Sequence, residues 1–314
     1  MAKLSCIEIC AGAGGQALGL EKAGFEPEAL VEIEGPCRDT LHHNRPGWNV
    51  LDGDQADLKL FDGTPYKGID LLAGGVPCPP FSKAGKQLGK DDERDLFPEA
   101  IRLVGECSPR AVMLENVSGF LEATFEGYRK ELKKQLEAMD YDVDWRLLNA
   151  SDFGVSQLRP RVVIVAISKA VHGGFVWPEP HRRRPMSVGK LLRKQMASCG
   201  WSGADEWAEK ANKIAPTIVG GSKKHGGPDL GPVRAKRAWA ALGVDGMGIA
   251  DGVPGPDFVG MPRLTVPMVA RIQGFPVSWH FTGKKTPAYR QVGNAFPPPV
   301  ACAVATQIAK CLKQ

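Results

Sequence analysis

Short apolar runs recur along the first half of the chain, separated by stretches with helical spacing. Leu4–Cys10 alternates and is rich enough in β-branched residues for a first strand. Ala29–Glu32, Ile69–Ala73, Ala111–Leu114, Val143–Leu148 and Arg161–Ile167 read as further buried strands, with a short one near Val50-Leu51. Between them, Gln16–Ala23, Arg38–His43, Arg94–Glu106 and Glu131–Met139 carry helical patterns. Strands alternating with helices predict an α/β fold with a largely parallel sheet. From Lys169 the pattern fades: Pro and Gly become dense, and only Val188–Gln195 reads as a helix until Leu264–Pro276, after which a last helix runs to Leu312. The expected organisation is a catalytic domain from residues 1–168 and 263–314, with a smaller, irregular domain at 169–262.

Charge sharpens this division. The chain of 314 residues is +5 overall, but residues 1–168 sum to −8 and residues 169–314 to +13, with no Asp or Glu after Asp257. A basic half beside an acidic one suggests a polyanion bound on one side, against the plainer reading of a solvated surface. The eight cysteines show no C-x-x-C pair and no framework spacing, so neither disulfides nor structural zinc is expected. No apolar stretch reaches membrane-spanning length and the N-terminus shows no signal peptide, which predicts a cytoplasmic protein.

Candidate chemistry gathers at strand ends, where open α/β sheets bind ligands. Ala11-Gly12-Ala13-Gly14-Gly15 turns the first strand into its helix, and Glu32 stands twenty positions after Gly12. Such a turn with an acid at the end of the second strand suits a nucleoside cofactor with a ribose diol; NAD and S-adenosylmethionine both fit. Asp54 can accept from an adenine amine or simply stabilise its turn. Cys78 is clamped by Pro77 and Pro79 after the Ile69–Ala73 run; alone, it reads as a small buried hydrophobe beside a turn rather than as a nucleophile. Ser82 to Lys90 is a polar, lysine-bearing segment suited to touching phosphates through Ser82, Lys83 and Lys86. Glu115, at a strand end, is a general-acid candidate or an ion-pair partner. Arg159 and Arg161, two apart before a strand, can both point into one crevice and bind carbonyl or phosphate oxygen. Residues 215–227, with Lys223 and Lys224, can follow a nucleic-acid groove or act as a linker, and Arg234 extends the basic theme.

As an ordered set, the glycine turn, Pro77-Cys78, Glu115-Asn116-Val117, Gln157-Leu158-Arg159-Pro160-Arg161, Arg271–Pro276 and Gln291-Val292-Gly293-Asn294-Ala295 resemble the bacterial C5-cytosine DNA methyltransferases. The resemblance covers about residues 1–168 and 263–306. It implies an S-adenosylmethionine-dependent, Rossmann-like catalytic domain with a target-recognition domain. It implies that the Cys78 thiolate adds to C6 of a flipped-out cytosine, that Glu115 serves N3 and the amine, that Arg161 binds O2, and that Arg159 braces the catalytic loop and the glutamate. No metal is implied. The cofactor site would comprise Cys10, Gly12, Gly14, Gly15, Glu32, Ile33, Asp54, Gln55, Pro77 and Asn294; Thr217 and Ile218 match a threonine–aliphatic pair of the recognition domain. Double-stranded DNA is the implied partner, a restriction endonuclease acting on the same site the implied counterpart, and a monomer the implied state. Departures are Glu8 and Cys10, where the family usually has Asp and Phe, Pro79, where it often has Gln, and Ile33, where an aromatic residue is frequent. An RNA cytosine methyltransferase of the same fold and an NAD-dependent oxidoreductase are the competing readings; the latter leaves Cys78, Glu115, Arg159 and Arg161 without a task.

Overall fold

The computed structural model describes residues 3–76, 95–220 and 228–314. Its sheet has six strands, β1 (Leu4–Ile9), β2 (Phe25–Val31), β3 (Leu71–Gly74), β4 (Ala111–Val117), β5 (Tyr141–Asn149) and β6 (Pro160–Ser168), in the order β2-β1-β3-β4-β6-β5. β1 pairs in parallel with β2 and β3, and β3 with β4; β6 then runs antiparallel to β4. The parallel strands are near-continuous apolar runs because both faces are covered. On one face Ile7, Ile9, Leu72, Val112, Leu114 and Ile164 pack against Phe97, Leu103 and Val104 of α3 (Phe97–Cys107) and Leu132 and Leu136 of α4 (Glu126–Ala138), after α1 (Gly15–Lys22) and α2 (Gly35–Asn44) in chain order. Each such buried side chain contributes on the order of 1.5–3 kcal/mol of transfer free energy.

The chain divides into two compact units. The first comprises residues Met1–Leu148, Pro160–Glu179 and Val300–Gln314, so both chain ends build one unit; the second comprises Asn149–Arg159 and Pro180–Pro299. These bounds differ from the sequence segments: residues 263–299 pack with 180–262. In the first unit, Arg110 ties the last helix to the sheet by pairing with Asp70 at 2.7 Å and donating to the Leu312 carbonyl at 2.7 Å.

The second unit is more regular than its Pro and Gly content suggests. It holds α5 (Val188–Met196), α6 (Ala204–Lys210), α7 (Val233–Ala240), α8 (Val266–Ile272) and α9 (Lys285–Asn294), followed by α10 (Pro298–Leu312), which carries the chain into the first unit. Ser187 caps α5 by accepting from the Lys190 N–H, and Thr265 caps α8 by accepting from Met268. The expected strand near Val50-Leu51 is a single bridge, Leu30 to Val50, because the chain turns off at once into the Gly53–Ala56 3-10 turn. Among the described residues no helix is long and apolar enough to cross a membrane.

Candidate active site

In the first unit the site begins where strands end. Gly12 and Gly14 have φ of 54° and 83°, a left-handed backbone that a side chain disfavours, and a Cβ built on Gly12 meets nothing within 4 Å. The turn is therefore an open cradle in front of α1, which starts at Gly15. Glu32 leaves the end of β2 and is orientated by two amides: Gly12 N–H donates to one carboxylate oxygen at 2.6 Å, Glu34 N–H to the other at 2.8 Å. Burial raises the Glu32 pKa while these two amides and Arg38 oppose the shift. A carboxylate so fixed beside an open glycine turn suits a ribose diol.

Around it, Ile33 is 63% exposed and Asp54 and Gln55 lie exposed on the 3-10 turn. Cys10 adopts a left-handed φ of 51°, and burial together with Glu32 and Glu8 pushes its thiol pKa up, so it stays protonated. Behind the cradle sits Glu8, 1% exposed, with one carboxylate oxygen lacking a hydrogen-bond partner among the described residues. Neither the strain at Cys10 nor the burial of Glu8 was signalled by the sequence beyond their departure from the family pattern.

Further along the sheet, β4 and β6 bring Glu115 and Arg161 together. The antiparallel register sets Val117 opposite Arg161 and Glu115 opposite Val163, so Glu115 and Arg161 are diagonal neighbours on one face. Their side chains form an ion pair at 2.6 Å, each 12% exposed. Burial pulls the Arg161 pKa down and Glu115 opposes it. The pairing that sequence left as an alternative to general-acid chemistry is thus present, and its partner is the other site candidate. Arg161, expected at the cytosine O2, is thus an ion-pair partner of Glu115. Gly75, which follows β3, lies against the same carboxylate: a Cβ there would stand 3.4 Å from Glu115 Oε2. Cys78 is three residues further on in the sequence. It lies outside the described residues, as do Pro77, Ser82, Lys83, Lys86, Lys223 and Lys224.

In the second unit Arg159 is fully buried and donates to main-chain carbonyls of Ile218 (2.6 Å), Gly293 (2.8 Å) and Ala295 (3.0 Å). Gln157 complements it, accepting from the Ile218 N–H at 2.7 Å and donating to Gln273 at 2.5 Å. Thr217 donates its hydroxyl to the Leu158 carbonyl. Thr217-Ile218, expected at the DNA, is therefore pinned to the Gln157–Arg159 segment, and Ile218 is 1% exposed. Asn294 is exposed at the end of α9 and packs against Gly220, where a Cβ would collide with its amide oxygen. Arg234 is exposed on α7. Sequence reasoning missed the roles of Gln157 and Gln273 as the hub beneath these loops; their signal was only that both lie within the matched motifs.

A sheet with its candidate residues at strand ends, an orientated acid beside a glycine turn and a carboxylate–arginine pair fit the Rossmann-like methyltransferase type. The family description C-5 cytosine-specific DNA methylase matches residues 4–310, and the chain belongs to that family. It is 56% identical to Type II methyltransferase M.NgoMIV of Neisseria gonorrhoeae, over 99% of both chains, and 56% identical to M.NaeI of Lentzea aerocolonigenes, over 99% of this chain and 76% of that one. Among solved structures, a protein described as a DNA modification methyltransferase encoded within an Escherichia coli prophage shares the fold at a TM-score of 0.70 and 22% identity, covering 99% of this chain and 100% of that one. The Spodoptera frugiperda DNMT2 shares it at 0.62 and 20% identity, with 99% and 100% covered. The protein is a DNA (cytosine-5) methyltransferase.

Proposed function

We propose that this enzyme is the modification methyltransferase of a Type II restriction–modification system, using S-adenosylmethionine to methylate C5 of one cytosine within a short duplex sequence. The observation that carries the catalytic assignment is the buried Glu115–Arg161 pair beside Gly75, the residue from which the chain enters Pro77-Cys78. C5 of cytosine is a poor nucleophile. Addition of the Cys78 thiolate to C6 converts C5 into an enamine-like carbon, and Glu115 provides the proton or hydrogen bond that N3 needs as charge develops there. Arg161 orientates Glu115 and offers its guanidinium to the cytosine O2. A base must leave the duplex to reach such a site. Loss of the C5 proton after methylation re-forms the double bond and expels Cys78.

S-adenosylmethionine supplies the methyl group when bound. The residues present fit it: the Gly12-Ala13-Gly14-Gly15 turn, with open space at Gly12, suits its methionine end, Glu32 its ribose hydroxyls, and Asp54 its adenine amine. Cys10, Ile33, Gln55, Pro77 and Asn294 complete the proposed cofactor set. The second unit, with its basic surface and the Thr217-Ile218 segment, would read the target sequence, and the protein would act in the cytoplasm as a monomer.

Bisulfite sequencing of DNA from a host expressing the protein tests this. One short sequence context should be methylated at nearly every occurrence. Methylation scattered without context would refute the modification role.

A further inference from the structure

The second unit contains a pocket of about 590 Å³ that none of the roles above uses. Three segments build it: the Ser151-Asp152 turn, residues 180–187, and Asn212–Ile214, with Leu158 on its wall. They are cross-tied through the backbone. His181 N–H donates to the Asp152 carbonyl at 2.7 Å, and Val188 N–H to the Lys213 carbonyl at 2.9 Å; Leu158 N–H donates to the Ala215 carbonyl at 2.8 Å. The His181 ring also packs edge-on against Phe153. The pocket is thus a fixed cradle rather than a gap between loops.

Its lining is cationic. Arg183, Arg184 and Lys213 all face it, with His181 beside them, against the single carboxylate of Asp152. All three full cations are exposed, and none forms an ion pair with a described residue. By contrast, another pocket of this unit, about 360 Å³ beside Trp279, holds one lysine, Lys285, already paired with Asp251 at 2.8 Å. Three unneutralised cations around one concave site repel one another unless an anion comes between them. A pocket of this size accommodates a sugar–phosphate unit as well as its charge. Leu158 places the pocket next in sequence to Arg159, so an anion held here is close in the chain to the machinery that holds the loops of this unit.

We propose that this pocket is a backbone-anchoring site, in which Arg183, Arg184 and Lys213 hold a phosphodiester of the substrate DNA flanking the recognition sequence. The proposal rests on the second unit being the DNA-reading part of the enzyme. Phosphate contacts position a protein on the duplex without reading sequence, so the site sets affinity and register and leaves the choice of base to others.

The test is the salt dependence of duplex binding for the full-length protein, its Arg183→Ala/Arg184→Ala variant, and the charge-preserving Arg183→Lys/Arg184→Lys variant. Each phosphate neutralised contributes a slope of about 0.9 in log affinity against log salt. The alanine variant should bind DNA more weakly at low salt, with a slope shallower by one to two such increments, while S-adenosylmethionine affinity and the ratio of cognate to non-cognate binding stay as in the wild type. The lysine variant should keep most of the slope. Should the double alanine variant lose cofactor binding and so fail to fold, Lys213→Ala alone should lower the slope by about 0.9. An unchanged slope with intact cofactor binding overturns the proposal, as does a changed cognate preference, which would mean base contact. Calorimetric binding of inorganic phosphate by the wild type only, with equal DNA slopes in all variants, also overturns it and assigns a free anion. If the wild type itself bound duplex DNA without salt dependence, the reading of the second unit would fail first.

Discussion

Glu8 offers a direct measure of how the strand leading into the glycine turn is supported. It lies on β1, 1% exposed, with one carboxylate oxygen unpartnered among the described residues. Burial, reinforced by the nearby Glu32 charge, lifts its pKa well above the ordinary 4.5. Its cross-strand neighbours Leu30 and Ala73 offer no counter-charge. In the unfolded chain Glu8 ionises near 4.5, whereas in the folded protein it keeps its proton to higher pH. Between those two values the folded state binds more protons than the unfolded one, so stability is full below 4.5 and falls as pH rises toward the folded pKa. One such proton changes stability by about 1.4 kcal/mol per pH unit. Glu8→Gln removes the titration and retains the shape. Urea unfolding of wild type and variant at pH values rising from 5 should therefore show the variant gaining on the wild type as pH rises, with a slope of at most about 1.4 kcal/mol per pH unit. The amide adds a pH-independent offset, so only the trend counts. Parallel stability curves across that range would refute the assignment of a neutral, buried Glu8.

Cys78→Ser should abolish methylation while leaving S-adenosylmethionine binding nearly unchanged by calorimetry; full turnover would contradict covalent catalysis. Glu32→Ala removes the acid that accepts from the Gly12 and Glu34 amides and that is proposed to bind the ribose, and should weaken cofactor binding by about 1.5–3 kcal/mol, roughly tenfold or more in Kd. Equal affinity would take Glu32 out of the site. Arg161→Lys keeps the charge but not the fork that reaches Glu115, and single-turnover methylation should slow by about a hundredfold with unchanged cofactor affinity; a wild-type rate would mean that the pair only holds the sheet together.

The strand and helix pattern of the first unit was legible because its elements obey local rules. β1, β3, β4 and β6 are apolar runs bounded by turns, and α3 carries a strongly sided pattern. The second unit was less so. α6, Ala-Asp-Glu-Trp-Ala-Glu-Lys, is too short to show a period, and α9 carries Pro287 near its start and Gly293 near its end, both of which read as breakers. Arg271–Pro276 and Gln291–Ala295 belong to the family motifs, which groups them with the catalytic segments in sequence, and they pack with the second unit. Their packing follows from Gln273, whose amide donates to the Val292 carbonyl at 2.8 Å and joins the Gln157 hub, a long-range link no local pattern encodes.

The two arginines show why spacing alone left their division of labour open. In an extended segment, residues two apart share a face, which made a common crevice the natural expectation. The structure sends Arg159 to three carbonyls of its own unit and Arg161 to a carboxylate of its own unit, with Pro160 between them. What decides the outcome for Arg161 is register. With Val117 opposite Arg161, Glu115 falls two positions away on the same face; a one-residue slip of β6 would turn Arg161 to the other face and leave a buried guanidinium and a buried carboxylate each without the other. Separating a buried pair in this way costs on the order of 3–5 kcal/mol, so the ion pair also discriminates against the slipped sheet. The contact proposed to position Glu115 for cytosine chemistry is thereby the one that fixes the alignment of the strand carrying Arg161.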